Sequence, residues 1–485
     1  MPVLTIRRGL TTRTVEFSPG TPLREALAQA GCSPAQPCGG RGVCGKCAVQ
    51  LSGNISEPNA SEQAAGVRLS CQAVLLGDAE VILPVETAMA IETGRAAAQS
   101  VIAGHDVGAA VDIGTTTLVL QLFDLQTSGL LASCAMLNPQ TSVAADVIGR
   151  ISAAMQGRLA YQQKQVTDAI NTLLHRAAAQ AGIPAHSIAH FVVTGNTTML
   201  YLLTGRDPSA LSHAPFEADH LFGETIELLG RPAYLPPCLH AFVGADVACA
   251  ALTSGMCTRN DTVLLCDIGT NGEIALWKDG VLHVASTAAG PAFEGAGISC
   301  GCPSITGAID RVVSDGYRLH VHTIGDAPAV GLCGSGLIDA IAALLDMEII
   351  DETGAMDDDE LLAPGVTLTQ ADIRAVQLSK AAIAAGIECL LDAAHCTEKD
   401  VAQVCLAGGF GSRMNLRSAA RIGLLPESLT DRVRVLGNAA IDGAAILLSN
   451  SRHAEIDTIA AHARHVPLGG NPKFNDRYMN AMMFE

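Results

Sequence analysis

The chain has 485 residues, with 30 Lys and Arg against 48 Asp and Glu, a formal charge of −18 and a hydrophobic content of 49%. One hydrophobic core stops growing at roughly 250–300 residues, so at least two domains are expected and large-scale disorder is excluded. The acidic balance argues against a nucleic-acid partner, whose phosphates require clustered Lys and Arg.

No apolar run approaches the ~18–20 residues of a membrane helix, and the opening MPVLTIRRGL lacks a signal-peptide core. The expectation is a cytoplasmic protein with neither membrane nor nucleic-acid partner. There, most of the sixteen cysteines are thiols or metal ligands. Residues 1–95 balance eight basic with eight acidic side chains, so the whole charge deficit falls on the remainder.

Residues 2–8 and 13–17 alternate like short strands around a turn at Gly9–Thr12, and Pro22–Ala30 reads as a helix ended by Gly31. A glycine-rich loop follows, CGGRGVCGKC, placing Cys38, Cys44 and Cys47 together, with Cys71 beyond a gap. Three thiolates from one loop and a fourth from elsewhere are what a 2Fe–2S cluster requires. Gly39, Gly40, Gly42 and Gly45 let backbone N–H groups approach the sulfides.

Structural zinc needs two separated ligand pairs, and no second CxxC or HxxxH follows nearby. Gly40–Lys46 also fits most of a Walker A loop. Its next residue, however, is Cys47 rather than Ser or Thr, and AVQLSG beyond is strand-like rather than helical. Cys32 lies outside the ligand spacing and is expected to be a packed thiol.

Residues 87–107 are small and weakly patterned, a linker. The pattern then sharpens. GAAVDIGTTTLVLQLFD and, later, DTVLLCDIGTNGEIALW each run a buried strand into the tetrapeptide DIGT and out along a second strand. A Rossmann fingerprint would place a helix after the glycines, and neither segment has one.

Two matching strand–turn–strand copies indicate an internal duplication. Gly114 and Gly269 let the backbone close around phosphate. Thr115, Thr116, Thr117, Thr270, Asn271 and Gly272 offer N–H and hydroxyl donors, and Asp112 and Asp267 can hold magnesium through water. A helix over Ala371–Ala394 and a short apolar strand precede VCLAGGFGSRMN, where Gly408, Gly409, Phe410 and Gly411 suit a flat adenosine.

In order, DIGTTT, TGNTTM (Thr194–Met199), DIGTNGE, AGGFG and NAAIDGAA (Asn438–Ala445) resemble the phosphate, connecting and adenosine segments of the acetate/sugar kinase–Hsp70–actin superfamily over about 108–450. With the four cysteines added, the chain resembles the reductive activators of corrinoid proteins. FEGAGISCGCPSITGAI, GLCGSGLIDAIAALL and PLGGNPKFNDRYMNAMMF also look like this family.

The resemblance implies an α/β architecture: a β-grasp ferredoxin domain over 1–86, a linker over 87–107 and a duplicated actin-like ATPase domain over 108–485. The lobes would span about 108–260 and 261–450, followed by a C-terminal extension. It also implies ATP-dependent reduction of a corrinoid protein's cobalt(II) to cobalt(I), rescuing a methyltransferase system. Cys38, Cys44, Cys47 and Cys71 would be cluster ligands, and Asp112 and Asp267 would face Mg–ATP. A low-potential donor and homodimerisation are family expectations.

Two departures stand out. Some members carry an extra domain between the ferredoxin and ATPase portions, whereas only some twenty residues separate them here. Cys302 is additional to the single cysteine expected at Cys300, and both are expected to be buried thiols. A small-molecule kinase of the same superfamily, and a non-catalytic electron carrier with a nucleotide-sensing domain, are the alternatives.

Overall fold

Residues 1–8, 11–32, 34, 42, 47–59, 62–63, 67–83, 104–409 and 414–484 are described in a computed structural model. The expected linker lies outside the described residues except for 104–107.

In the N-terminal unit, strands Val3–Arg8 (β1), Thr11–Glu16 (β2), Thr21–Pro22 (β3), Ala48–Ile55 (β4), Arg68–Leu69 (β5) and Val74–Leu83 (β6) form one sheet of order β2-β1-β6-β4-β5, with β3 on β6. The β1–β6 pair is parallel, and helix α1 (Leu23–Gln29) covers the sheet, a β-grasp arrangement. Alternation sets the interior: Leu4 and Ile6 of β1 and Leu75, Val81 and Leu83 of β6 pack with Leu23, Ala26 and Leu27 of α1. Cys32 belongs to this core, as expected. The strand over Ala48–Ile55 removes the helix that a Walker A loop requires.

The rest is two sheets of like design. The first contains Val107–Ile113 (β7), Thr117–Asp124 (β8), Leu130–Leu137 (β9), Ile188–Gly195 (β10), Glu224–Leu228 (β11) and Arg231–Leu235 (β12), in the order β11-β12-β10-β7-β8-β9. The second contains Thr262–Ile268 (β13), Gly272–Lys278 (β14) and Val281–Thr287 (β15). Next come a small sheet of Ala308–Ser314 (β16), Leu319–Thr323 (β17) and Gly331–Leu332 (β18), and a hairpin of Glu360–Ala363 (β19) and Val366–Leu368 (β20). Val401–Ala407 (β21), Val433–Gly437 (β22) and Ala463–His465 (β23) complete the second large sheet, ordered β22-β21-β13-β14-β15-β23.

In each large sheet an antiparallel three-strand meander (β7-β8-β9, β13-β14-β15) is extended by two strands running parallel to its first member (β10 and β12, β21 and β22), with β11 added antiparallel at the edge of the first sheet. The duplicated DIGT segments are the first turns of the two meanders. The C-terminal segment is integrated into the second sheet, since β23 pairs with β15.

Two helices form the floor between the lobes, Ala245–Ser254 (α2) and Ala439–Ile446 (α3), and one core joins Ala110 and Val192 of the first sheet to Val263 and Cys405 of the second. The helices cross closely at Gly443. A Cβ there would lie 2.6 Å from the Cβ of Cys249 and closer still to its carbonyl oxygen. Gly443→Val is therefore expected to cost about 1–3 kcal/mol through overpacking, read as a lowered midpoint in denaturant unfolding. No helix of the described residues is long and apolar enough to cross a membrane.

Candidate functional site: a nucleotide cleft between twin phosphate loops

The two DIGT turns face one another across a cleft of about 350 Å³. Asp112, at the end of β7, pairs in register with Val119, while Asp267, at the end of β13, pairs with Glu273. Strand ends in matching topology thus present their carboxylates to a common space. Gly114 donates its N–H to Thr117 O at 2.9 Å, and Gly269 donates to Asn271 O at 3.0 Å, closing both turns. A Cβ on Gly114 would come within 2.7 Å of that Thr117 oxygen, which is why glycine stands there.

Of the residues expected at the nucleotide, Asp112, Gly114, Thr115, Thr116, Thr117, Asp267, Gly269, Thr270, Asn271, Gly408 and Gly409 all line this cleft. Gly272 lies beside it, at the start of β14. Gly408 adopts φ +90°, and a Cβ there would lie 2.7 Å from Asp267 Oδ1, so the backbone at Gly408 closes directly against the second aspartate. Phe410 and Gly411 lie outside the described residues.

Several cleft residues belong to no repeated motif. Asp246 opens α2 just after Gly244, and Glu273 and Glu294 approach from the second lobe. Asn196 donates from Nδ2 to Thr115 Oγ1 at 3.1 Å, and Asn438 donates from Nδ2 to Asp112 Oδ2 at 3.3 Å. Asn196, Glu294 and Asn438 sit within the segments TGNTTM, FEGAGISCGCPSITGAI and NAAIDGAA. Their signal was therefore present in the motifs, though not their contacts. Cys302, expected to be buried, is half-buried instead and borders the cleft, because its strand-like segment lies against Leu332 at the rim.

Five carboxylates around one cleft repel each other. Burial, with Asp267 nearby and against the Asn438 hydrogen bond, pushes Asp112 up to about 7. Burial and the neighbouring Asp112 do the same to Asp246, and burial with Asp246 and Glu294 raises Asp267, each to about 7. Burial also lifts Glu273 and Glu294 above the usual carboxylate range. Such a set fits a divalent cation, which removes the repulsion and satisfies oxygen ligands.

The positive counterpart is Arg150, fully buried behind the first loop, which donates to Thr115 O at 2.5 Å, Ala144 O at 3.0 Å and Gln140 Oε1 at 3.3 Å. Desolvation depresses its guanidinium to about 9. Its positive charge sits beneath a loop suited to phosphate.

The sign of the pH dependence follows. Unfolded, Asp112, Asp246 and Asp267 titrate near 3.8; folded and metal-free, they titrate near 7, so the folded chain holds extra protons in between. Stability of the metal-free protein is therefore expected to fall as pH rises through this window and to level off above about 7. A divalent cation needs the ionised forms, so Mg–nucleotide affinity should rise about tenfold per pH unit per proton released, flattening above pH 7. Calorimetric titration from pH 5.5 to 8.5 in buffers of differing ionisation enthalpy measures both affinity and proton release.

The second centre is partly described. Cys47 and Cys71 are buried and packed with Leu69, while Cys38 and Cys44 lie outside the described residues. The Cys47 and Cys71 thiols are in hydrogen-bond contact, which pushes Cys71 down to about 6 while the proton is held on Cys47. Two thiols brought together, one readily ionised, fit half of a thiolate cluster site.

Buried Glu62 accepts from Leu69 N at 2.8 Å, Asn59 N at 3.0 Å and Arg68 Nε at 3.0 Å, fixing the strand that leads to Cys71. Burial opposes its ionisation, but these bonds outweigh it and hold Glu62 below the usual range. Among the described residues no three His, Cys, Asp or Glu side chains converge closely enough to hold an ion by themselves, so a magnesium ion in the cleft would be held by one or two carboxylates together with water and phosphate.

Comparison with known proteins joins the two centres. Residues 8–76 match the 2Fe–2S iron–sulfur cluster binding domain, 107–259 the middle region of RACo, and 261–485 the C-terminal ASKHA domain of RACo. The chain is 34% identical over 420 residues to the corrinoid activation enzyme RamQ of Eubacterium limosum, covering 78% of this chain and 70% of RamQ.

The chain belongs to the RACo family.

It is also 25% identical over 417 residues to the Co(II) methylated amine-specific corrinoid protein reductase of Methanosarcina barkeri, covering 77% and 76% of the two chains. The solved structure of a reductive activator for corrinoid, iron–sulfur protein superposes with a TM-score of 0.73 at 26% identity, covering 100% of this chain and 98% of the other. The fold is accordingly a ferredoxin domain followed by an actin-like ATPase domain, with a 2Fe–2S cluster and Mg–ATP as its cofactors. The first DIGT hairpin lies in the segment matched as the RACo middle region and the second in the ASKHA segment. The nucleotide cleft is thus built jointly by both.

Proposed function

We propose that this chain performs ATP-dependent one-electron reduction of a corrinoid protein's cobalt(II) to cobalt(I), restoring a methyltransferase system. The observation that carries the reading is the cleft itself: two phosphate turns from two like lobes, converging on a set of carboxylates, in a chain that also carries thiolates for electron transfer.

In this reading Cys38, Cys44, Cys47 and Cys71 hold the cluster, which supplies single electrons at low potential. Asp112 and Asp267 would hold the magnesium ion, with Asp246 beside Asp112 as a further acceptor for it. The hydroxyls and backbone donors of Thr115–Thr117 and Thr270–Gly272 bind phosphates, and Gly408, Gly409, Phe410 and Gly411 accept the adenosine. Arg150 offsets phosphate charge from behind Thr115. The domains would divide at 86 and 108, and a low-potential donor, pairing of two copies and a cytoplasmic setting belong to the same proposal.

Why an ATPase should accompany the cluster follows from magnitudes. A one-electron step uphill by ~200 mV costs about 4.6 kcal/mol, close to the ~5.5 kcal/mol needed to reverse a 1:99 conformational population. In this reading, closure of the lobes on ATP about α2 and α3 would change how a cobalt(II) partner is held. The kinase alternative leaves the cysteines unused; ATP turnover stimulated by a sugar or carboxylic acid, and not by a corrinoid protein, would favour it. Turnover stimulated by the corrinoid protein supports the present reading.

A further inference from the structure

Glu294 is the side chain that physically joins the two phosphate loops. Its Oε2 accepts a hydrogen bond from Thr116 Oγ1 of the first loop at 3.0 Å and another from Thr270 Oγ1 of the second, also at 3.0 Å. The two hydroxyl oxygens are themselves 3.5 Å apart. Its other oxygen lies over the second loop, 3.4 Å from where a Cβ on Gly269 would be. One anionic oxygen therefore gathers a donor from each lobe at the position where the twin turns meet.

We propose that Glu294 is a nucleotide-state latch, a positioning residue whose carboxylate stands in for the terminal phosphate of ATP at the Thr116 and Thr270 hydroxyls.

The inference rests on reading the cleft as a nucleotide site and specifies how that site distinguishes ATP from ADP. Each threonine has one hydroxyl proton to donate, and both are committed to Glu294. A terminal phosphate oxygen is an acceptor of the same charge sign and hydrogen-bonding character. It cannot share the position with a carboxylate without strong like-charge repulsion. ATP displaces Glu294 and takes over the cross-lobe link, whereas ADP lacks the group that competes and leaves the latch in place. The exchange involves no covalent chemistry: two O–H donors pass from one anionic acceptor to another.

The test is calorimetric titration of the full chain with a non-hydrolysable ATP analogue and with ADP, each with Mg²⁺, comparing the wild type with Glu294→Ala, Glu294→Gln and Thr116→Val. Thermal unfolding confirms that each variant is folded. Removal of the competing anion in Glu294→Ala is expected to tighten the ATP analogue by about tenfold relative to ADP, with Glu294→Gln intermediate. Thr116→Val should reduce this gain when combined with Glu294→Ala, because both changes remove the same link.

Hydrogen exchange at 113–117 and 268–271 gives a readout that simple packing would not move. In the wild type the pattern should change with the ATP analogue and not with ADP, and in Glu294→Ala the empty protein should already differ from the ADP-like pattern. An ATP-to-ADP affinity ratio unchanged within about twofold in a folded Glu294→Ala would overturn the latch. Failure of the wild type to bind either nucleotide would instead overturn the reading of the cleft.

Discussion

Asp267→Ala is expected to lower ATP-dependent cobalt(I) formation by at least about 100-fold while the visible absorption of the iron–sulfur cluster stays unchanged. The separation follows from the architecture. Asp267 ends β13 in the second lobe, whereas Cys47 and Cys71 lie in the N-terminal unit, just before β4 and just after β5. Its carboxylate is one of those pushed up to about 7 by burial and by Asp246 and Glu294, and in the proposed function its ionised form faces the magnesium ion. Alanine removes the proposed ligand and leaves the turn intact, because Gly269 N–H still bonds Asn271 O. The folded state of the metal-free variant should be no less stable than the wild type, since a repelling carboxylate is lost. A variant with normal cobalt(I) formation would contradict the assignment.

Cys47→Ser is expected to have the converse effect, abolishing the cluster's absorption and electron transfer while leaving ATP-analogue affinity within about twofold of the wild type. Serine keeps the size and offers a hydroxyl in place of the thiol, so the hydrogen-bonded contact with Cys71 can persist in the apo-protein. What it removes is the soft thiolate that iron retains. Anaerobic reconstitution followed by iron and sulfide analysis, with nucleotide titration of the same sample, checks both halves. Loss of nucleotide binding together with the cluster would show that the two centres are not separately built.

How much of this was legible in the sequence depended on whether a residue's role was local. The DIGT turns could be read because Asp, Gly and Thr repeat inside matching strand runs, and a turn with its flanking strands is settled by neighbours in sequence. The same holds for the helix over Gln370–Ala393, expected over Ala371–Ala394 and ended one residue earlier.

Asp246 and Arg150 could not be read in this way. Asp246 is a lone acid in the first turn of a small-residue helix, and it becomes a site residue only because α2 lies between the lobes. Arg150 resembles an ordinary helix cation until the fold buries it behind Thr115. Cys302 escapes a sequence reading for a related reason: one-residue spacing argues against a metal site but says nothing about which wall the thiol faces.

Glu273 shows the same limit from the other side. In the sequence it could simply cap a strand, but its register opposite Asp267 places it in the cleft, where burial and Asp246 raise it well above the usual carboxylate range. Register across a hairpin determines which face each side chain takes, and a shift of one residue would have turned Glu273 away.

The most direct test of the central claim is anaerobic spectroscopy of the reconstituted protein mixed with a cobalt(II) corrinoid protein and a low-potential reductant, with and without Mg–ATP. Cobalt(I) should appear only when ATP is present, and its rate should follow ATP hydrolysis. Equal rates of cobalt(I) formation with and without ATP would contradict it.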